Sequence, residues 1–98
     1  MEQYKRKFKE DEIQVTKDKK FIYDLHKIKT DAHELAQRMI KGKGWTVESV
    51  FPDAIEIILR EMVKEQFNYD RTKIPSYAIM KPIIKHIGSQ LGITFLGY

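Results

Sequence analysis

Over residues 76–98 the chain reads SYAIMKPIIKHIGSQLGITFLGY, and its apolar and basic side chains separate onto opposite sides of one helix. At the helical period, Ile79, Met80, Ile83, Ile84, Ile87 and Leu91 fill one continuous wedge, while Tyr77, Lys81, Lys85 and Ser89 follow one another at i, i+4 steps on the other side. Such a segment must place its wedge against a core, and it leaves a row of cations and hydroxyls facing water. Pro82 falls inside it, where a proline removes one backbone hydrogen bond and crowds the preceding turn. The wedge keeps its phase on both sides of Pro82, so the pattern predicts a kinked helix, or a first turn leading into a helix at Pro82. Gly92 ends it, and residues 93–98 read as a closing strand.

Upstream, residues 4–16 read YKRKFKEDEIQVT, with period-two alternation at Tyr4, Arg6 and Phe8 and again at Ile13 and Val15 around the turn-like cluster Glu10, Asp11, Glu12. This predicts a short hairpin, or a basic arm followed by one strand over residues 13–16. From residue 20 to 41, Phe21, Leu25, Ile28, Ala32, Leu35 and Met39 are spaced alternately by four and three, which predicts a long first helix capped by Asp18 and stopped by Gly42 and Gly44. The competing parse is a strand through FIYDL with a helix from Thr30; the unbroken seam favours the single helix. Residues 45–50 form a turn or helical lead-in, and Pro52 suits the first turn of a second helix running to about Phe67, because its missing N–H is no loss there. Ile55, Ile58, Leu59, Met62 and Val63 are its buried stripe, Glu56, Arg60 and Lys64 its wet side, with Ile57 among the latter as a partner-facing candidate. Residues 68–75, NYDRTKIP, are turn formers and read as a loop carrying Arg71 and Lys73.

At 98 residues the chain has the length of one domain, with 42% hydrophobic and 33% charged residues, the balance of an ordered globular protein rather than a disordered tail. It contains no cysteine, which excludes disulfides, thiolate metal sites and thiol nucleophiles and suits a reducing compartment. The first ten residues carry charge without an apolar h-region, and no window is long enough to cross a bilayer, so a cytoplasmic protein without membrane contact is expected. A net charge of +4 and a pI near 9.3 favour an acidic partner, since neutralising phosphates releases condensed counterions.

Motifs for catalysis are missing. HELAQ at residues 33–37 resembles the first half of a zinc-protease helix, but Gln37 stands where the second metal-binding histidine belongs, which leaves an ordinary helix surface. His26 and His86 have no ligand spacing with His33. Ser49, Ser76 and Ser89 lack a nucleophile-elbow context, and KGKGW lacks the glycine spacing and the lysine-hydroxyl ending of a phosphate loop, so its glycines are read as helix stops. No enzyme, cofactor or metal is expected. The basic positions remain: Arg71, Lys73, Lys81 and Lys85 with Tyr77 and Ser89 can form one surface from a loop and the helix after it, in which cations neutralise phosphates and hydroxyls donate hydrogen bonds. The alternative use of such lysines is a solvated helix face.

Ser76, Met80, Ile84, Ile87 and Gly92, followed by Ile93, Phe95 and Gly97, resemble the recognition helix and wing start of winged-helix DNA-binding domains. The resemblance implies that this helix docks in the major groove with Tyr77, Lys81 and Lys85 towards DNA and the second helix packed behind. A strand before two helices is also similar to ribbon-helix-helix regulators, in which Gln14 and Thr16 would be the outward-facing readers. The connection over residues 42–52 is too long for that family and the third helix is surplus to it.

The sequence thus predicts an α+β domain over residues 1–98: three helices and a two- or three-stranded sheet formed by N- and C-terminal strands, winged-helix-like, with residues 1–11 as a mobile basic arm or an edge strand. The expected role is that of a non-enzymatic DNA-binding accessory or regulatory protein of plasmid or phage type. Phosphate contacts are assigned to Lys5, Arg6, Lys7, Arg71 and Lys73, and groove contacts to Tyr77, Lys81 and Lys85, with Ser89 as a further DNA-binding residue. The rival role is a protein-interaction module, an inhibitor or adaptor acting through the long first helix or a sheet edge. A homodimer through the first or second helix suits either.

Overall fold

The computed structural model describes residues 10–70 and 72–98. An antiparallel hairpin of β1 (Glu10–Gln14) and β2 (Lys20–Asp24) leads into three helices, α1 (Leu25–Met39), α2 (Val47–Gln66) and α3 (Tyr77–Leu91). The α+β class and the three helices agree with expectation, but the sheet is assembled otherwise: its strands are neighbours in sequence, and residues 93–98 form no strand.

The strands pair in the register Glu10 opposite Asp24 through Gln14 opposite Lys20. Ile13, Phe21 and Tyr23 point into the core and Ile22 points out, the period-two alternation that one wet face and one dry face require. Thr16 holds the turn, its hydroxyl accepting from the Asp18 N–H (3.3 Å) and the Lys19 N–H (3.1 Å). The expected turn at Glu10, Asp11 and Glu12 is therefore strand; their carboxylates stay in solvent, and Glu12 pairs with Lys20 at 3.4 Å. The earlier strand suggested by Tyr4, Arg6 and Phe8 lies outside the described residues.

The long first helix over residues 20–41 is corrected to a strand followed by a shorter helix. In a strand, as in a helix, residues four apart share a face, so Phe21 and Leu25 extend the helical seam by coincidence. Aromatic and β-branched residues in FIY favour the strand, and Asp24, not Asp18, caps α1 by accepting from the N–H groups of His26 (3.0 Å) and Lys27 (3.4 Å). The strand parse thus holds for residues 20–24, with the helix beginning at Leu25 rather than Thr30. At the other end Ile40 is the C-cap and Gly42 turns the chain at φ 78°, a left-handed conformation that glycine takes without a Cβ clash.

α2 begins at Val47, earlier than expected. Thr46 caps it through its hydroxyl, which accepts from the Ser49 N–H at 3.2 Å, and Pro52 is the sixth residue of the helix. There it forfeits only the bond to the Glu48 carbonyl. α3 runs unbroken through Pro82 from an N-cap at Ser76 to Gly92, whose φ of 73° stops it.

One core draws on all five elements. α1 contributes Ile28, Ala32 and Ala36; α2 contributes Val50, Ala54, Ile55, Leu59 and Val63; α3 contributes Met80, Ile83, Ile84 and Ile87. Burying each of the larger aliphatic side chains is worth about 1.5–3 kcal/mol, so α3 is held by its wedge and not by its exposed side. The alanines keep side chains small where α1 and α2 share their most extensive contact. Gln66 joins the end of α2 to β2: its Nε2 donates to the Ile22 carbonyl (2.7 Å) and its Oε1 accepts from the Ile22 N–H (2.9 Å). A side-chain amide here stands in for the peptide of a neighbouring strand. No helix among the described residues is long and apolar enough to cross a membrane.

Candidate nucleic-acid interface

Charge is distributed unevenly along the chain. The described residues balance their Lys and Arg against their Asp and Glu, so the surplus of +4 belongs to Lys5, Arg6, Lys7, Lys9 and Arg71, set against Glu2. From residue 71 onward the sequence holds Arg71, Lys73, Lys81 and Lys85 and no acid at all, whereas over residues 10–70 acids outnumber bases. Among the described residues α3 is therefore the one helix without a carboxylate.

Burial of Met80, Ile83, Ile84 and Ile87 turns the opposite face of α3 to solvent, where Tyr77, Lys81, Lys85 and Ser89 are all exposed. Lys81 and Lys85 form no ion pair among the described residues, in contrast to Lys20, Lys27, Arg60 and Lys64. The Lys81 ammonium lies over the Tyr77 ring, 5.7 Å from its centroid. Lys85 and Ser89 border a groove of about 300 Å³ between α3 and the segment after it, with Thr94 and Phe95 on the far wall.

That segment takes the place of the expected closing strand. Beyond Gly92 the chain folds back along α3, with the Ile93 N–H donating to the Gly88 carbonyl at 2.8 Å and the Phe95 ring lying against Gly88. Gly97, at φ 88°, turns Tyr98 inward. The Tyr98 ring stacks on Tyr77 with centroids 5.5 Å apart and planes 12° off parallel, and its hydroxyl donates to Glu56 Oε2 at 3.0 Å. Glu56 is also paired with Arg60 one turn along α2. Burial, followed by the hydrogen bond to Glu56, raises the Tyr98 pKa above the ordinary phenol value, with Arg60 opposing. The segment thereby fixes the Tyr77 ring beside Lys81, ties α3 to α2 and leaves Lys85 and Ser89 open.

Lys73 is exposed in the loop ahead of α3, and its backbone N–H donates to the Asp70 carbonyl at 3.0 Å. The Asp70 carboxylate accepts from the Thr72 N–H and hydroxyl, both at 2.9 Å, which lowers its pKa and organises this loop. Lys5, Arg6, Lys7 and Arg71 lie outside the described residues. Tyr98 and Thr94 were not among the residues singled out from sequence. A signal for them was Gly88, a glycine at the edge of an apolar wedge, where a helix gives up stability unless something packs close.

Elsewhere the surface differs in character. A groove of about 540 Å³ between α1 and α2 is bordered by Asp31, Glu61 and Glu65 with Lys64 among them, so acids outnumber bases along its wall. His33 and Gln37 of HELAQ are both exposed on α1, and among the described residues no three His, Asp or Glu side chains converge as a metal site. Compared with known proteins, the chain matches no family model, no curated protein and no solved structure.

Proposed function

We propose that the protein is a non-enzymatic, cytoplasmic DNA-binding accessory or regulatory factor of plasmid or phage type, which presents the outward face of α3 to the major groove of duplex DNA in a winged-helix-like manner. The observation that carries the reading is the pair of exposed cations Lys81 and Lys85, without an ion pair among the described residues, on a helix free of carboxylates. A polyanion approaching this face meets no carboxylate on α3 itself, and each lysine that neutralises a phosphate releases condensed counterions. Tyr77 and Ser89 supply hydroxyls for backbone or base edges, and Lys73, with Lys5, Arg6, Lys7 and Arg71, supplies further phosphate contacts. In this reading the folded-back residues 93–98 flank the reading helix where a winged-helix domain has its wing.

The test is charge reversal. Lys81→Glu combined with Lys85→Glu is expected to weaken greatly the retention of duplex DNA on a filter at moderate salt while leaving the circular dichroism spectrum unchanged, because both side chains are exposed. Undiminished retention by the folded variant would remove this surface from the account.

A second reading, a protein-interaction module of inhibitor or adaptor type, is favoured by Ile57, 37% exposed on the outer side of α2, and by Leu96, 92% exposed on the C-terminal segment. Indifference of the wild-type chain to duplex DNA, together with loss of a co-purifying protein on Ile57→Asp, would favour it. A homodimer through α1 or α2 is compatible with either reading and would set the spacing of DNA half-sites.

A further inference from the structure

The α1–α2 connection has its own chemistry, which the α3 surface does not use. Between Arg38 and Thr46 the chain reads RMIKGKGWT, with three cations and no acid. Arg38, Lys41 and Lys43 are exposed and form no ion pair among the described residues. Trp45 is 55% exposed, so it adds little to the core, and the Lys43 ammonium lies over its ring, 4.9 Å from the centroid. A Cβ built on Gly42 or Gly44 meets nothing within 4 Å, so the loop backbone between these cations stands open to an approaching chain.

We infer that this loop is a contact for single-stranded nucleic acid, in which an unpaired base stacks on Trp45 while Arg38, Lys41 and Lys43 engage the flanking phosphates. An exposed aromatic ring beside unpaired cations is the arrangement that tracks a single strand without reading its sequence, since every base has a π-face and every linkage a charge. In a duplex the bases are already stacked on one another, so the indole has no partner there. A lipid surface fits less well: Met39 and Ile40, which lead into the loop, are half-buried against the core, and the loop around Trp45 is otherwise glycine, lysine and threonine, which offers no apolar face to insert. The inference stands on these residues alone and holds whether or not α3 enters a groove.

Trp45 is the single tryptophan of the chain, so its emission reports on this loop and nothing else. Titration of the full chain with an oligothymidylate is expected to quench that emission, and the quenching should weaken as salt rises. Trp45→Ala should lower affinity for a dye-labelled oligothymidylate, read by anisotropy, by about 5- to 150-fold, with Trp45→Phe retaining most of it. Lys41→Glu with Lys43→Glu should flatten the salt dependence by roughly 1.4 in logarithmic slope. Lys81→Glu with Lys85→Glu should leave the quenching in place, which separates this contact from the α3 surface. The inference is overturned if the oligonucleotide binds without changing Trp45 emission, if Trp45→Ala binds as wild type does, or if vesicles of anionic phospholipid shift the emission and oligothymidylate does not.

Discussion

Gly88→Ala tests the docking of the C-terminal segment, because two physical effects act on it with opposite sign. Helix propensity alone favours alanine over glycine in a helix interior by about 0.5–1 kcal/mol. Against this, a Cβ at position 88 would stand 2.7 Å from the Ile93 carbonyl oxygen and 3.0 Å from two carbons of the Phe95 ring. A backbone oxygen has no rotamer to escape into, so residues 93–98 must lift. Lifting them weakens the Ile93-to-Gly88 hydrogen bond and the Tyr98-to-Glu56 hydrogen bond, each worth about 1 kcal/mol, and the Tyr77–Tyr98 stack, worth about 0.5–1.5 kcal/mol. The contacts outweigh the propensity gain, and a net destabilisation of about 1–3 kcal/mol is expected, which lowers the thermal midpoint by roughly 5–20 °C in a chain of this size. Urea and thermal unfolding followed by circular dichroism measure it, with Gly44→Ala as control because nothing lies within 4 Å of a Cβ there. The control should stay within about 0.5 kcal/mol of wild type. A Gly88→Ala protein more stable than wild type would show that propensity acts alone and that the segment does not pack on α3.

Gln66→Ala removes both hydrogen bonds to Ile22 and should lower stability by about 1–2 kcal/mol while accelerating hydrogen exchange at the Ile22 amide; an unchanged exchange rate would mean that the side chain does not cap this edge of β2. Tyr98→Phe keeps the ring stack and loses only the hydroxyl, so it should cost less than Tyr98→Ala, and denaturant midpoints of the two variants give the order. The same phenol sets an alkaline limit. Tyr23, through burial and the nearby Asp11 charge, and Tyr98, through burial and Glu56, both have pKa values raised above 10.0 in the fold. Their contribution is complete below the unfolded phenol pKa and is lost as pH rises through the folded values, so stability should fall above about pH 10, and less steeply in Tyr98→Phe. Identical alkaline profiles for wild type and Tyr98→Phe would contradict the burial of that hydroxyl.

Long periodic runs made α2 and α3 legible from sequence. The wedge of α3 is buried as its spacing requires, and Gly92 stops the helix in the conformation only glycine adopts readily. The start of α1 was not legible, since Phe21 fits a strand face and a helical seam equally, and the deciding residue, Asp24, serves as cap only when the strand ends there. Residues 93–98 show a different failure. Ile93 and Phe95 are half-buried and Thr94 and Leu96 exposed, so the expected alternation is real, yet the partner is α3 and not a strand. Periodicity reports which side of a segment is covered, never what covers it. The same limit applies to the site: the exposure of Lys81 and Lys85 followed from the wedge behind them, whereas for the Tyr77–Tyr98 stack, a contact between distant residues, Gly88 signalled only that something packs close and not which ring it brings.

The slope of log binding constant against log salt for random duplex DNA tests the central proposal most directly, since it counts the phosphates that cations neutralise. Wild type should show a steep negative slope, and Lys81→Glu with Lys85→Glu should make it shallower by about 1.8, the share of two phosphate contacts. Equal slopes for the two proteins, or a wild-type affinity that salt does not weaken, would contradict the assignment of α3 as the DNA-binding face.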